Sequence, residues 1–411
     1  MLRGNIVAVF DLGSSSIKAA AGFYRKNGSL KKMAVGAVSA KGVKNGLVND
    51  LDLATQSLVD AKDDLAEQLG QPLEAAWIGI SGGTVMSCIG QSCITVEGPD
   101  NEIDEFDLRR AAIAAEVEAL PQRREALHII PLGYLIDGRI QTDKPQGLFG
   151  QELTLSAAVI SAELVQTQNI LRLARRAGLH VNGLLYTPLI AGNALLSPRE
   201  KAKSAAYIDI GAEACDVVLF RKGNAEAVLT MPYGGRIIDQ DIAYGFKVSA
   251  AEAEQLKLGM AEAAGVAEAA ATGAAPDVAA TGFLNEIIAA RIAEYLELIL
   301  SGDVWKDYLD QKPLSSVVIA GGTSRWPGMA ALVREYAGCP CRTIADSTAS
   351  IADYDLDPAL AGLFQYCLAH AARNRYNGER CSRIRSWLTG HRIDNASQGR
   401  RDDRDAGIQR R

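Results

Sequence analysis

The hydrophobic and polar positions of this chain switch between two periods. Residues 6–10 form an unbroken apolar, β-branched run, the pattern of a strand covered on both faces. Leu51–Leu69 has the spacing of a helix, and residues 75–83 read as a short buried strand closing on two glycines. Residues 84–96 read as two strands around Gly90. Asp104 is placed to N-cap a helix running towards Leu120, with acidic residues in its first turn. Residues 126–138 and 152–162 are further strands. Residues 250–282 are Ala-rich without an obvious large core, the second half reading as loop or weak helix; residues 284–300 form a strong amphipathic helix. Alternating strands and helices predict an α/β layered fold.

The ends of three strands carry the candidate chemistry. The first run stops at Asp11, then Gly13, Ser14, Ser15 and Ser16, with Lys18 just beyond. Such a turn offers backbone N–H groups and hydroxyls to a phosphate and a carboxylate to a metal ion. An ordinary hairpin whose serines satisfy turn hydrogen bonds fits the same stretch. The pattern recurs in residues 204–220, with Asp209, Gly211 and a second acid, Asp216. A third strand, within residues 315–329, ends in Gly321, Gly322 and Thr323 before Pro327 and Gly328. The first two turns, facing one another, would grip a polyphosphate from two sides. The third lets a base or ribose approach the backbone.

Composition narrows the reading. With 411 residues, 48% hydrophobic and 22% charged, the chain is an ordinary soluble globular type with room for several cores. A net charge of −6 argues against a general nucleic-acid partner. The seven cysteines contain no Cys-x-x-Cys pair, Cys339 and Cys341 merely flank Pro340, and the four histidines are dispersed. Zinc is therefore not expected, and a reducing cytoplasm is. The N-terminal apolar run is too short for a secretory signal, and no stretch is long enough to span a bilayer.

The ordered trio of turns resembles the actin-like ATPase superfamily, and within it the FtsA family of bacterial cell-division actin homologues. "FDLGSSSIK" is similar to the first phosphate loop, "YIDIGAEACDVVLF" to the second and "VVIAGGTSRWPGM" to the adenosine loop. "HIIPLGYLIDG", "DKPQGLFGQELTLSAAVIS", "MPYGGRIIDQDIAYGF" and "AEQLKLG" follow in the family's order. The resemblance implies an actin-like (ribonuclease H-like) two-lobed fold with a nucleotide cleft and an extra subdomain peculiar to FtsA. In its terms residues 1–82 and 161–195 are subdomain 1A, 83–160 the inserted 1C, 196–240 and 315–356 subdomain 2A, and 241–314 subdomain 2B. Residues 357–372 are a helix returning to 1A, 373–380 a linker, 381–393 an amphipathic membrane-targeting helix and 394–411 a polar tail.

The resemblance also implies roles. Gly13, Ser14, Ser15 and Ser16 would face the terminal phosphates of ATP, with Lys18 adding charge or serving as an ordinary structural residue. Asp11 and Asp209 would hold Mg²⁺ through water. Gly211, Gly234 and Gly235 would border the phosphates; Glu254 and Lys257, at i and i+3 on one helix, would face the ribose, where a solvated ion pair is the plainer reading. Gly321, Gly322 and Thr323 would line the adenine side. Arg291 and Glu294 are the candidates for the FtsZ C-terminal tail, again with a solvated pair as the plainer reading. Filament formation with copies of itself, other division proteins as partners and a place on the cytoplasmic face of the inner membrane at midcell complete the expectation.

Two stretches qualify it. The second phosphate loop reads "GAEACD" where the family has further glycines and a hydroxyl pair, and Glu213 adds a negative charge worth a few kcal/mol at about 4 Å from a phosphate. Thr187 stands before Pro188, where hydrolysing relatives carry Glu or Gln, and Asp239 replaces a Thr; ATP binding with weak or no hydrolysis is expected. In "ERCSRIRSWLTGHRI", Cys381, Ile384, Trp387 and Leu388 fall on one side of a helical wheel and Arg385 beside them, the pattern of an interfacial helix on an anionic bilayer. A short helix docked on the protein body accounts for the same pattern. A pilus-assembly-type actin-like scaffold and an active ATPase or kinase of the same superfamily remain the alternatives.

Overall fold

The computed structural model describes residues 5–25, 29–97, 99–265, 278–301, 313–344, 349–351, 354–374 and 386–387. Among these residues, two of the three five-stranded sheets share one topology. In the first, β1 (Asn5–Leu12), β2 (Ser16–Tyr24) and β3 (Leu30–Ser39) form an antiparallel meander. A small hairpin, β4 (Val43–Lys44) and β5 (Leu47–Val48), follows, then α1 (Leu51–Leu69). The sheet is completed by β6 (Ala75–Ile80), parallel to β1, and by β11 (His180–Tyr186), parallel to β6. The second sheet repeats this plan: β12 (Ser204–Ile210), β13 (Cys215–Arg221) and β14 (Asn224–Met231) are antiparallel, and β15 (Ser316–Ala320) and β16 (Cys341–Thr343) extend the other side in parallel. The repeated plan puts Asp11 opposite Lys18 on β2, and Asp209 opposite Asp216 on β13.

Side-chain alternation decides how the two lobes meet. Ala205 and Tyr207 join a core shared with Ala8, Phe10 and Leu12 of the first sheet, whereas Ala206, Ile208 and Ile210 face the second lobe's own helices. Those helices are α6 (Gly235–Phe246), α7 (Ala250–Gly265), α8 (Val278–Ser301) and α9 (Met329–Ala337). The other face of the first sheet, Val7 and Val9, is covered by Leu360, Leu363, Phe364 and Cys367 of α10 (Pro358–Asn374). That helix packs against α4 (Thr187–Leu195) so closely that a Cβ on Gly362 would lie 3.0 Å from the Ala194 Cβ. The C-terminal helix thus returns to the first lobe.

Between β6 and β11 the chain builds a separate layer. The strands β7 (Met86–Thr95), β8 (Arg124–Ile136) and β10 (Glu152–Glu163) pair antiparallel, with β9 (Ile140–Thr142) hooked on β8. Over them lies α2 (Glu105–Ala119), which starts where its cap predicts: Asp104 accepts from the Asp107 N–H at 2.9 Å, and Asp107 returns the bond. Residues 84–96 were expected to be two strands, but Gly90 lies inside a single strand. A Cβ there would meet the Ala115 carbonyl of α2 at 2.2 Å, so this glycine serves helix packing rather than a turn. The layer is anchored to the first lobe by His128, whose Nε2 accepts from the Tyr186 N–H at 2.9 Å; burial lowers its pKa to about 3 and keeps it neutral. It also touches the second lobe, where the Val228 N–H donates to Ser87 Oγ at 2.9 Å.

The Ala-rich segment forms α7 as far as Gly265, and the amphipathic stretch lies in α8. Of residues 381–393, only Ser386 and Trp387 are described, as a two-residue strand that pairs parallel to His128 and Ile129 of β8. An edge strand presents unpaired N–H and C=O groups, and these two residues satisfy some of them. Cys381, Ile384, Arg385 and Leu388, the linker and the polar tail lie outside the described residues.

Candidate functional site

The first and second strand–Asp–Gly turns end the matching central strands of the two sheets and face a common interior. Asp11 accepts a hydrogen bond from the Thr187 hydroxyl at 2.6 Å. Burial raises its pKa, against the lowering effect of Thr187 and Lys18. Burial also pushes Asp209 up, to about 7, with Asp216, Asp357 and Asp11 reinforcing it and Lys18 opposing. Asp216 is pushed up to about 6 by burial and moderated by bonds from Thr230, Tyr186 and Gly82. One lysine answers these acids. Burial alone would lower the Lys18 pKa, but Asp357, Asp11 and Asp209 outweigh it and hold the ammonium charged. Its Nζ pairs with Asp357 at 2.7 Å, and the same Asp357 accepts the Ala359 and Leu360 N–H groups at the start of α10. Among the described residues these acids outnumber the one cation that faces them, a charge pattern a hydrated divalent ion balances.

The serine turn is built as a rim. Gly13 donates its N–H to the Asp11 carbonyl, the Ser14 hydroxyl accepts the Gly46 N–H at 3.1 Å, the Ser15 carbonyl accepts the Ala40 N–H, and Ser16 opens β2. Across the gap, Gly211 is tied to the start of α6: its carbonyl accepts the Gly235 N–H at 2.9 Å, and the Ala212 carbonyl accepts that of Arg236 at 2.8 Å. Gly234 caps that helix against the loop. Gly321 adopts φ +85, and a Cβ on it would meet Asp209 Oδ1 at 2.6 Å, so only glycine brings this turn against the carboxylate. A Cβ on Gly235 would meet the buried Thr323 hydroxyl at 2.9 Å, whereas one on Gly322 would face open space. Asp11, Lys18, Asp209, Gly211, Gly234, Gly235, Gly321, Gly322 and Thr323 therefore line one region, although they come from opposite ends of the chain.

Lys257 reaches the same region, but its partner is not Glu254. Its Nζ pairs with Asp239 at 2.6 Å and donates to the Gly235 carbonyl at 3.0 Å, while Glu254 is exposed. Arg291 grips Asp241 of α6 through two bonds, at 2.6 and 3.0 Å, and also pairs with Glu294, so both candidates for partner binding are already engaged within α6 and α8.

Two acids that the sequence names, Asp216 and Glu213, take partners that it does not announce. Asp216 accepts from the Gly82 N–H, the Tyr186 hydroxyl and the Thr230 hydroxyl. Glu213 turns towards the first lobe: its Oε2 accepts the Asn45 N–H at 2.6 Å and its Oε1 meets Arg236 at 3.2 Å. The charge expected to oppose a phosphate is thus met by a cation and an amide. Asn45 and Gly46 form the tip of the β4–β5 hairpin with φ of 50 and 74, a turn signalled by the Asn-Gly pair. A cavity of about 210 Å³ opens beside it, lined by Lys44, Asn45, Glu213, Gly234, Arg236 and Gln240 among others.

Two sheets of one topology, joined at their inner faces and carrying paired Asp turns, define the actin-like fold. Solved structures agree. A chain of the "PilM-PilN type IV pilus biogenesis complex" superposes with a TM-score of 0.60 at 17% identity, covering 89% of this chain and 98% of that one. MreB 5 of Spiroplasma citri bound to AMPPNP gives 0.50 at 10% identity, over 91% of this chain and 99% of that one. Sequence comparison goes further. The family model described as "Cell division protein FtsA" matches residues 206–361, and "SHS2 domain inserted in FTSA" matches residues 82–161. The cell division protein FtsA of Bacillus subtilis is 28% identical over 82% of this chain and 77% of its own length. Those of Pseudomonas aeruginosa and Borreliella burgdorferi are 26% and 24% identical, over 82% and 91% of this chain and 82% and 92% of theirs. The chain belongs to the FtsA family of cell-division proteins.

Proposed function

We propose that this chain binds Mg²⁺–ATP between its lobes, polymerises on the cytoplasmic face of the inner membrane at midcell, tethers FtsZ filaments there and recruits further division proteins. The observation that carries the nucleotide part is the half-buried meeting of Asp11, Lys18 and Asp209 at the ends of two topologically matched hairpins. Asp11 and Asp209 would hold the metal ion, which screens phosphate charge. Gly13 to Ser16, Lys18, Gly211, Gly234 and Gly235 would border the phosphates, and Gly321, Gly322, Thr323 and Lys257 the nucleoside. Thr187 is a hydroxyl spent on Asp11, and no acid stands in its place to orient water, which favours binding over turnover.

The membrane part rests on family membership and on the sequence of residues 381–393. No helix among the described residues is long and apolar enough to cross a membrane. In this reading Ser386 and Trp387 leave their pairing with β8 when the segment inserts; four partly inserted side chains at up to roughly 1.5–3 kcal/mol each, less their ordering entropy, then give marginal affinity. A filament presenting many copies gains avidity. In this reading polymerisation and attachment are coupled, and the protein is a scaffold more than a catalyst. Arg291 and Glu294 would meet the FtsZ tail only by loosening their internal pairs. A pilus-type scaffold shares the fold, but the matched insert at 82–161 favours division.

The test is localisation of the tagged full-length chain, intact, truncated after residue 380, and carrying Trp387→Ala with Leu388→Ala. A midcell membrane band that disperses in both variants is expected. Bands that persist in the variants contradict the anchor, and a diffuse intact protein contradicts the reading.

A further inference from the structure

The hairpin tip Asn45–Gly46 is wedged between the two lobes. A Cβ on Gly46 would lie 2.2 Å from the Ser81 carbonyl, and the Gly46 carbonyl accepts from Gln166 at 3.1 Å, so the tip is fixed within the first lobe. Its two N–H groups point to opposite loops: Gly46 to Ser14 of the first lobe, Asn45 to Glu213 of the second. Glu213 is only 9% exposed, and Arg236 of its own lobe holds its other oxygen. Three residues on, Asp216 is 3% exposed and takes the Gly82 N–H at 2.9 and 3.1 Å and the Tyr186 hydroxyl at 2.9 Å, both from the first lobe. Thr230 of the second lobe completes its shell at 2.7 Å.

Two carboxylates on one hairpin of the second lobe thus grip two backbone amides and a phenol of the first. Bonds from N–H to a carboxylate are among the stronger ones, and burial strengthens them further. We propose that Glu213 and Asp216 form a resident interlobe clamp, performing with the protein's own anions the bridging that a bound polyphosphate performs in the nucleotide reading. The consequence for the cofactor rests on that reading: closure of the lobes does not wait for nucleotide, and Glu213 sets how little nucleotide adds. The alanines around Glu213 fit this role, since Ala214 packs where a Cβ on Gly82 would lie at 2.8 Å.

Amide hydrogen exchange on the nucleotide-free full chain tests the clamp. In Glu213→Ala, residues 43–48 are expected to exchange about tenfold faster, the effect of losing one net hydrogen bond, while β12 stays protected. Glu213→Gln keeps an acceptor and loses the Arg236 pair, and should fall between. Unchanged protection of residues 43–48 in both variants overturns the proposal, as does a rise of equal size in β12. Binding of labelled ATP with Mg²⁺ to the wild type is measured alongside. A chain that shows the exchange effect but no saturable binding keeps the clamp and retires the nucleotide reading. One that binds ATP with unchanged exchange does the reverse.

Discussion

Asp209 is the residue on which the electrostatics of the cleft turn. It lies opposite Asp216 across β12 and β13, and Asp11, Asp357 and Lys18 face it from the first lobe. Its pKa stands at about 7 and that of Asp216 at about 6, where an unfolded carboxyl titrates near 3.8. Between those values the folded chain binds more protons than the unfolded one. The stabilisation is complete below pH ~4 and is lost as pH rises through 6 and 7. The metal- and nucleotide-free chain should therefore lose on the order of 2–4 kcal/mol of stability between pH 5 and pH 8. Denaturant unfolding across that range should show the loss in the wild type and a flatter profile in Asp209→Asn. Parallel profiles for the two would contradict the placement of this carboxylate.

At the scale of elements, the contact between α4 and α10 ties α10 to the first lobe. Gly362 permits it, and a larger side chain must push against Ala194 and the α4 backbone. Gly362→Val is expected to cost about 1–3 kcal/mol by overpacking and to loosen both helices while the α2-covered sheet keeps its protection. Equal stability of the variant and the wild type, measured by thermal unfolding, would show that the crossing is slack. Local signals announced many elements: the Asp104 cap placed α2, and the β-branched runs placed β1, β12 and β15. Other elements follow from packing instead. Gly90 looked like a turn because its sequence neighbours do not reveal that α2 lies over it. The pairing of Ser386 and Trp387 with the open edge of β8 likewise has no local signal in the sequence.

At the scale of the molecule, the two sheets repeat one plan, and the repeat brings Asp11 and Asp209, far apart in the chain, into one electrostatic cluster. That much was legible, because a strand ending in Asp and Gly is a local pattern that recurs. The pairings of the charges around them were not. Lys18 pairs with Asp357, Lys257 with Asp239 and Glu213 with Asn45, and each pairing depends on which surfaces the fold apposes. The account turns on the claim that this cluster receives Mg²⁺–ATP. Equilibrium binding of labelled ATP to the full chain, with Mg²⁺ and with chelator, compared between wild type and Asp209→Asn, tests it most directly. Saturable binding that requires Mg²⁺ and weakens at least about tenfold in the variant is predicted. Absence of saturable binding at millimolar Mg²⁺, or equal binding by Asp209→Asn, would contradict it.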